Sequence, residues 1–445
     1  MPLRVGLLFC LLLISGRAYA QTGSSTVSAP IPATTAPPPT PPPAPTAPTS
    51  TPEGRPSLVR EGTGEGRPPR PEAAEPPTGG VYAEFGRGIT MRSSDGAVSL
   101  AIRARLQVRG TVEVPEEDQE EDPAVFFQAR RMRLVFLAEA KEQHLQLYVQ
   151  LGIAPADMEA DLLVPLRDAT IIWTGLRDLS LKAGQMKVPF NRERVISSSA
   201  LQFADRSNTN AELTLDRDVG LQFFSNDLFG LGGILGYQAG VFSGDGRNRF
   251  VEDYGLLYVV RLQAQPLGRM DDAYAEADLT REERPRLSLG LGGAYNQRSR
   301  RQRSTHGAVY RLEGFDQLHA EADLIFKYAG LSVQTELLLR KASEARQEGQ
   351  VNGFPVVESS RSGLGYMVQV GYVLPNFVEL ALRWSDVKPL PGVETTLQKQ
   401  RDLSGALGWY ASGHDLKIQA DYTYTFGRDF GIGSHLVRTQ IQVYF

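Results

Sequence analysis

Arginine recurs at alternating positions in two segments of this chain. Arg103, Arg105 and Arg109 share one face of the first segment. Arg131 and Arg133 share one face of the second. A guanidinium group presents several N–H donors in one plane, and a row of them can replace the hydration shell of a passing oxyanion. These residues therefore predict a wall that binds small anions. The alternative is that the charges only brace a wide, wet cavity.

Two further basic clusters lie outside the alternating segments. The first, at the start of a stretch of nearly 30 residues without alternation, consists of Lys187, Arg192 and Arg194. The second consists of Arg298, Arg300, Arg301 and Arg303. A basic cluster at a pore mouth concentrates anions, an effect that weakens as salt rises. If the alternating segments enclose a pore, we expect the first cluster to line its constriction and the second cluster to line its mouth. The alternatives for the second are contact with lipopolysaccharide phosphates and simple solvation.

Catalytic and metal chemistry find no support in the sequence. The five histidines show no spacing typical of a metal site, and Cys10 is the only cysteine. Ser412, His414 and Asp415 resemble a triad in composition alone, because they lie within one predicted tight turn. We therefore expect no enzymatic activity, no cofactor, no bound metal and no nucleic-acid partner.

The elements that position the arginines are strands with strict alternation of apolar and polar residues. A transmembrane barrel strand is about 10 residues long, with apolar side chains facing lipid and polar ones facing the lumen. Sixteen segments fit this pattern: 97–111, 125–140, 144–154, 168–174, 179–188, 217–227, 233–243, 253–265, 284–297, 316–329, 330–342, 362–374, 376–387, 400–412, 414–426 and 436–445. The sequence predicts an all-β, 16-stranded antiparallel transmembrane β-barrel. Eight acidic residues are also expected to face inward: Glu139, Asp218, Glu321, Asp323, Glu336, Glu379, Asp402 and Asp421.

The connections between these segments alternate between short and long. Tight turns such as Tyr328–Gly330 follow even-numbered strands, and most longer connections follow odd-numbered ones. Periplasmic turns and extracellular loops produce this parity when both termini are periplasmic. One connection, residues 266–283, is a long acidic insert where a turn is expected. The acidic run Glu116–Asp122 is predicted to be a solvated extracellular loop.

Three regions of different composition make up the chain. Residues 1–20 have a positive start, an apolar core and the cleavage site Ala18–Ala20, as in a secretory signal peptide. Residues 21–80 are rich in proline and are predicted to be a disordered periplasmic linker. Residues 81–445 are predicted to form the barrel, and the alternating C-terminal strand that ends in Phe445 is typical of bacterial outer-membrane barrels.

Several motifs in the barrel region resemble the phosphate-selective porins of the O and P type. The motifs are Gly184–Phe190 with Glu193, Phe203–Ser207, Arg217–Gln222 and Gly240–Asn248. The resemblance implies a sixteen-stranded porin, typically a homotrimer, that passes phosphate or other anions along an arginine ladder and a lysine-lined constriction. Arg103, Arg105, Arg131 and Arg133 suit that ladder by their facing. Lys187, Arg192 and Arg194 suit the constriction of the third loop, and the fifth loop carries arginines where lysines are usual.

The sequence therefore favours a porin of the bacterial outer membrane, for passive diffusion of small solutes with a preference for anions such as phosphate. Its expected partners are outer-membrane lipids, lipopolysaccharide and further copies of the chain. One alternative is a general diffusion porin without sharp selectivity. Another is a structural or adhesive barrel whose Pro-rich segment reaches the cell wall.

Overall fold

A computed structural model describes residues 79–445, apart from residues 117–120, 160–162 and 250–254. The predicted signal peptide, nearly all of the predicted linker and the middle of the acidic run lie outside the described residues. No helix in the described part of the chain is both long and apolar enough to cross a membrane.

Strands dominate the described residues, and the two α-helices are short. The strands are β1 (Gly80–Glu84), β2 (Gly88–Arg92), β3 (Val98–Val114), β4 (Ala124–Ala140), β5 (Leu145–Gly152), β6 (Leu166–Trp173), β7 (Ser180–Lys187), β8 (Arg217–Ser225), β9 (Leu235–Phe242), β10 (Leu257–Ala264), β11 (Arg286–Ser299), β12 (Phe315–Tyr328), β13 (Leu331–Ala342), β14 (Arg346–Val351), β15 (Phe354–Ser359), β16 (Gly363–Val373), β17 (Val378–Pro389), β18 (Gln400–His414), β19 (Leu416–Phe426) and β20 (Gly433–Tyr444). The helices are α1 (Arg192–Val195) and α2 (Asn208–Leu213).

Sixteen of these strands form one closed antiparallel barrel. From β3 to β13 and from β16 to β20, each strand pairs with the next; β13 pairs with β16, and β20 closes the barrel on β3. Closure removes the open sheet edges that a lipid environment does not tolerate. In β12 the inward positions are buried, while outward residues such as Leu318 and Tyr328 are exposed. The sixteen barrel strands coincide with the sixteen predicted segments to within a few residues, so the predicted barrel fold is confirmed.

A short hairpin, β1–β2, precedes the barrel and was not predicted. Strand β2 pairs with Ser99–Ile102 of β3, on the same edge that β20 occupies farther along β3. The ring of Phe85, in the turn of the hairpin, packs edge-on against that of Phe445 with centroids 5.3 Å apart. The hairpin therefore continues the barrel wall where the C-terminal strand ends.

The two ends of the barrel differ in their connections. One end, called here the turn end, carries short turns such as Ala329-Gly330, where both residues have positive φ. Glycine adopts that conformation without strain. Residues 265–285, between β10 and β11, are the long exception at this end. The opposite end, called the loop end, carries the longer connections, including the loop that contains the β14–β15 hairpin.

The third connection at the loop end, residues 188–216, folds into the lumen and is called L3. It contains both helices. Helix α2 begins after Ser207, whose Oγ accepts a hydrogen bond from the backbone N–H of Asn210. The Thr209 hydroxyl lies 2.9 Å from that of Ser385 on β17. L3 thus crosses the lumen and packs against the opposite wall.

Candidate functional site

The predicted ladder arginines face the lumen and reach L3. Arg105 donates to the hydroxyl oxygens of Ser197 and Ser198 in L3. Arg133 donates to the Ser198 hydroxyl at 3.2 Å and to the Asp157 carboxylate at 2.7 Å. Each of these arginines is buried in the barrel interior. The alternation of β3 and β4 therefore positions guanidinium groups along one wall, opposite L3.

Arg109 and Arg131 meet at one carboxylate of L3. Both donate to Asp205, the second over 2.7 Å. Arg103 differs from them, because it lies beside Gly88 of the β1–β2 hairpin and is only half-buried. The ladder therefore divides into arginines that hold L3 and one that lies near the turn end.

Basic side chains from four strands and from L3 converge on a cavity of about 100 Å³. This cavity is called the cationic pocket. It is lined by Arg130, Arg131, Arg133, Ala156, Asp157, Arg167, Lys187, Arg194, Ser198, Arg206 and Arg217. Eight of these residues are basic, and among the described lining residues Asp157 is the only acid. The site therefore has the composition of an anion-binding cavity.

The pocket has more cations than carboxylates that pair with them. The ion-pairing carboxylates are Asp157, Asp168, Asp205 and Asp216. Lys187 and Arg206 bind backbone carbonyl oxygens of L3 instead, both of them that of Ile196. Because these acceptors are neutral and the carboxylates are fewer than the cations, the pocket keeps an excess of positive charge.

Two loop carboxylates show the strength of this positive field. Burial raises the pKa of Asp205, but Arg131, Arg130 and Arg109 lower it by more, so its pKa lies well below the ordinary value of 3.8. Burial also raises the pKa of Asp157, and Arg133 and Arg167 together bring that pKa below its usual range. Both groups are therefore ionised at neutral pH, and they fix the guanidinium positions.

The three residues predicted for the constriction lie on two sides of L3, and Lys187 is the last residue of β7. Lys187 and Arg194 line the cationic pocket. Arg192 points the other way: its Nε lies 2.7 Å from Asp323 of β12, and it also donates to the Ser288 hydroxyl. Its side chain is completely buried. In this structure Arg192 anchors L3 to the barrel wall and does not line the pocket.

Four of the eight acidic residues predicted to face inward lie under L3. The Glu336 carboxylate accepts hydrogen bonds from Asn191 and from the backbone N–H of Glu193. The backbone N–H of Ala204 donates to Asp421 over 2.7 Å. Further acids covered in this way are Asp323, which pairs with Arg192, and Glu379, which accepts from Gln202. L3 therefore covers the part of the lumen wall that carries these carboxylates, called here the acidic half, where buried cations such as Arg261 and Lys327 also lie. With its other side L3 faces the cationic pocket.

Of the four arginines predicted at the pore mouth, Arg298 lies at the end of β11 and the other three lie in the loop between β11 and β12. Arg301 pairs with Glu159, and Arg303 pairs with Glu212 at the end of L3. Arg298 is exposed and Arg300 is half-buried. Arg301 and Arg303 thus fasten the loop to its neighbours, and Arg298 and Arg300 lie at the loop end.

Sequence reasoning gave no role to several residues of the pocket. Arg206 and Arg217 belong to motifs that carried the family resemblance, and a role for them was within reach. Arg130 departs from strict alternation because a bulge shifts the β3–β4 register between Gln107 and Val108. Arg167 and Asp157 border the loop between β5 and β6, where no periodic signal exists. No group of His, Cys, Asp and Glu suited to a metal ion occurs among the residues that the structure describes.

Comparison with known proteins gives one family and several structures. The profile of a family described as "Phosphate-selective porin O and P" matches residues 102–445, more than half of the chain. No curated protein sequence matches the chain.

Several solved structures are similar to this chain, among them an outer-membrane channel and an anion-selective porin. OmpF of Salmonella typhi, solved with daunomycin, is 11% identical with a TM-score of 0.52, and 78% of this chain covers 98% of that one. The channel DcaP of Acinetobacter baumannii is 10% identical with a TM-score of 0.50 over the same shares. An anion-selective porin of Comamonas acidovorans is 13% identical with a TM-score of 0.49, and 78% of this chain covers all of it. At these identities, the OmpF and DcaP structures support the barrel fold alone.

Proposed function

The chain belongs to the family of phosphate-selective porins O and P, and we propose that its cationic pocket makes this outer-membrane porin prefer small oxyanions such as phosphate. One observation carries the proposal: basic side chains line an open cavity, whereas carboxylates of the opposite wall are covered by L3. The cavity is the cationic pocket, and eight of its lining residues are basic. A passing ion therefore meets mainly positive side chains.

The pocket suits transient binding better than tight capture. Its volume of about 100 Å³ is several times the roughly 10–15 Å³ that a cavity needs to hold one water, and it accommodates a small oxyanion. Guanidinium donors replace part of the hydration shell of the anion. Conduction requires binding that is strong enough to admit an ion and weak enough to release it. Neighbouring carboxylates such as Asp157 and Asp205 moderate the positive field and so favour release.

The proposal includes an orientation and an assembly. The turn end would face the periplasm, so that the N-terminal segment before Gly80 enters that compartment. The loop end would face lipopolysaccharide at the cell surface. Outward apolar residues such as Leu291 and Leu382 are exposed in the single chain and would contact lipid or a neighbouring barrel of a homotrimer. Cross-linking of the purified protein in detergent tests the trimer.

Reversal potentials in planar bilayers test the proposed preference. In a KCl gradient, the wild-type protein should show a potential of the sign for chloride permeation. Arg133→Gln and Arg206→Gln should each lower the anion-to-cation permeability ratio by roughly 2- to 5-fold, because each removes one charge from the pocket. Arg346→Gln, in the exposed β14–β15 hairpin, serves as the matched control.

The same recordings distinguish the alternatives. Phosphate added to the chloride solution should reduce the chloride current by occupying the pocket. A reversal potential near zero would favour a general diffusion porin, and cation preference would overturn the proposal. A folded barrel without conductance would favour a structural role.

A further inference from the structure

The connection between β10 and β11, residues 265–285 and called here the insert, folds into the lumen from the turn end. The other connections at this end that join barrel strands are shorter. Its central residues are buried, among them Ala273, Glu276 and Asp278, with at most 2% of their surface exposed. A solvated connection would leave such side chains in water, so the insert is a packed part of the barrel interior.

A lysine of the barrel wall holds the insert in place. The Lys327 ammonium on β12 donates to the Asp272 carboxylate at 2.6 Å and to the backbone oxygens of Asp272 and Ala277 at 2.8 and 2.9 Å. Lys327 itself has no exposed surface. A buried ammonium with three acceptors from one short segment fixes the path of that segment.

The insert also joins L3. The backbone N–H of Glu276 donates to the Ala200 oxygen at 3.1 Å, and the backbone N–H of Gln202 donates to the Glu276 carboxylate at 2.7 Å. Arg192 of L3 donates to the Ala273 oxygen. Ala275 packs with Ile196, Ala200 and Leu201 in one apolar cluster. L3 and the insert therefore form a single layer inside the barrel.

This layer covers wall residues that L3 alone does not reach. Met270 and Ala273 of the insert pack on Ile325, and Leu279 packs on Val373 and Tyr410. Ile325 and Val373 are completely buried although they lie near the turn end of their strands. The insert thus closes the turn end of the same half of the lumen where Glu321, Asp323 and Glu336 lie.

We propose that the insert is a selectivity element that seals the acidic half of the lumen from the turn end, so that solutes pass only on the side of the cationic pocket. The inference rests on the proposed function insofar as it concerns conduction. L3 covers the acids from the loop end and the insert covers them from the turn end. Without the insert, water and cations would reach the acidic wall, and a second path of opposite preference would open.

Replacement of residues 266–283 by a Gly-Asn turn tests the proposal directly. In KCl bilayers, this variant should conduct about twofold more than the wild type, and its reversal potential should shift toward cation permeation. Lys327→Met removes the three bonds that hold the insert and should shift both values in the same direction, in a chain of unaltered length. Unchanged values in both folded variants would overturn the proposal.

Two adjacent carboxylates provide a matched pair for the same recordings. Asp272→Asn removes the buried partner of Lys327. Asp271→Asn removes an exposed carboxylate, one residue away, that pairs with Arg269. We expect a higher conductance and a shift toward cations for Asp272→Asn, and wild-type values for Asp271→Asn. Equal effects of the two substitutions would mean that the negative charge of the insert, and not its attachment to Lys327, controls the conductance and the selectivity. This result would overturn the proposal.

A chemical readout makes the test independent of conduction. Cys10 is the chain's only cysteine, so Ile325→Cys can be labelled selectively in a Cys10→Ser background. A membrane-impermeant thiol reagent should not modify this cysteine when the insert is intact, and it should modify it rapidly after the turn replacement. Labelling at equal rates would overturn the proposal. If labelling depends on the insert but the barrel shows no anion preference, the proposed function is rejected. The proposal that the insert covers the wall is then still supported.

Discussion

At the scale of single residues, the cationic pocket combines charges of both signs in unequal number. Asp157 accepts hydrogen bonds from Arg133 and lies within 3.4 Å of Arg167. Such a carboxylate organises the guanidinium groups and at the same time reduces their attraction for an anion. These two effects on anion binding oppose each other, and substitution of Asp157 shows which of them is larger.

We predict that Asp157→Asn increases the anion preference. The change keeps the shape of the side chain and removes the only acid among the described lining residues, so the anion-to-cation permeability ratio should rise by roughly 1.5- to 3-fold. Reversal potentials in a KCl gradient measure this ratio. Asp178→Asn, in an exposed turn where the residue pairs with Arg177, is the control and should have no effect. A lower ratio for Asp157→Asn would show that organisation of the arginines outweighs their net charge.

Arg192 illustrates how an arginine inside the lumen can serve structure alone. Arg192→Met should leave the anion preference within about 1.5-fold of the wild type, because the side chain faces away from the pocket. It should cost about 2–4 kcal/mol of stability, because Asp323 loses one of its two buried partners and keeps only Arg261. Urea unfolding in detergent micelles measures the cost. A selectivity change as large as that of Arg206→Gln would place Arg192 in the ion path.

At the scale of elements, L3 decides which part of the barrel wall a solute meets. The loop is fastened on both sides: Asp205 meets Arg109 and Arg131 on the cationic wall, and Arg192 meets Asp323 on the acidic wall. A loop held across the lumen at two walls resists displacement more than one held at a single wall. Its seating should therefore depend on the protonation of Asp205.

We predict that L3 stays seated down to about pH 4 and loosens below it. The pKa of Asp205 in the folded protein lies well below 3.8, its ordinary value. Its ionised form therefore contributes stability above pH 3.8, and this contribution is lost as the pH falls toward the folded-state pKa. Pepsin cleavage next to Phe203, which is completely buried, reports the loosening between pH 5 and pH 2.

An asparagine at position 205 provides the comparison for this pH series. Asp205→Asn removes the titrating group and keeps the size of the side chain. L3 should then be cleaved at pH 5 already, and the cleavage should depend much less on pH. If L3 of the wild-type protein is cleaved equally at pH 5 and pH 3, the arginine–Asp205 contacts do not control its seating.

The elements of the barrel were predictable because each strand repeats one physical rule. Strand β11 was expected at 284–297 and occurs at Arg286–Ser299. Apolar and polar positions alternate wherever one face meets lipid and the other water, so many residues report one boundary. Strands β1 and β2 were missed because each has only five residues, which is too short for a transmembrane pattern. Their pairing depends on where β20 ends, which is a tertiary contact.

The candidate site was predictable only where it lies on strands. The alternation of apolar and polar residues predicted that Arg131 and Arg133 face the lumen, and both line the pocket. It could not predict the path of L3, because an irregular loop has no repeating pattern. For this reason the sequence did not distinguish Arg192, which binds Asp323, from Arg194, which lines the pocket, and it gave Arg206 no role. The coverage of the acidic wall was also hidden, since facing alone does not reveal what lies on top of a side chain.

At the scale of the whole molecule, the distribution of charge matters more than its sum. The formal net charge of the chain is −4, which taken alone disfavours anion passage. Several acids, however, are covered by L3 and six belong to the acidic run 116–122, while basic residues line the pocket. Exposed and enclosed charges also differ in how strongly salt screens them, so the two arginine clusters have separable roles.

We predict that salt removes the contribution of the mouth arginines before that of the pocket. The Debye length falls from about 10 Å at 0.1 M to about 3 Å at 1 M salt, and exposed charges are screened most. The double variant Arg298→Gln, Arg300→Gln should lower the anion-to-cation permeability ratio at 0.1 M and match the wild type at 1 M. Arg206→Gln should lower the ratio at both concentrations, because an ion in the pocket passes within a few ångströms of the lining side chains. Reversal potentials at one fixed gradient ratio and two mean concentrations measure this difference. If both variants lose their effect at 1 M, selectivity originates at the exposed mouth of the barrel, and the enclosed pocket contributes little to it.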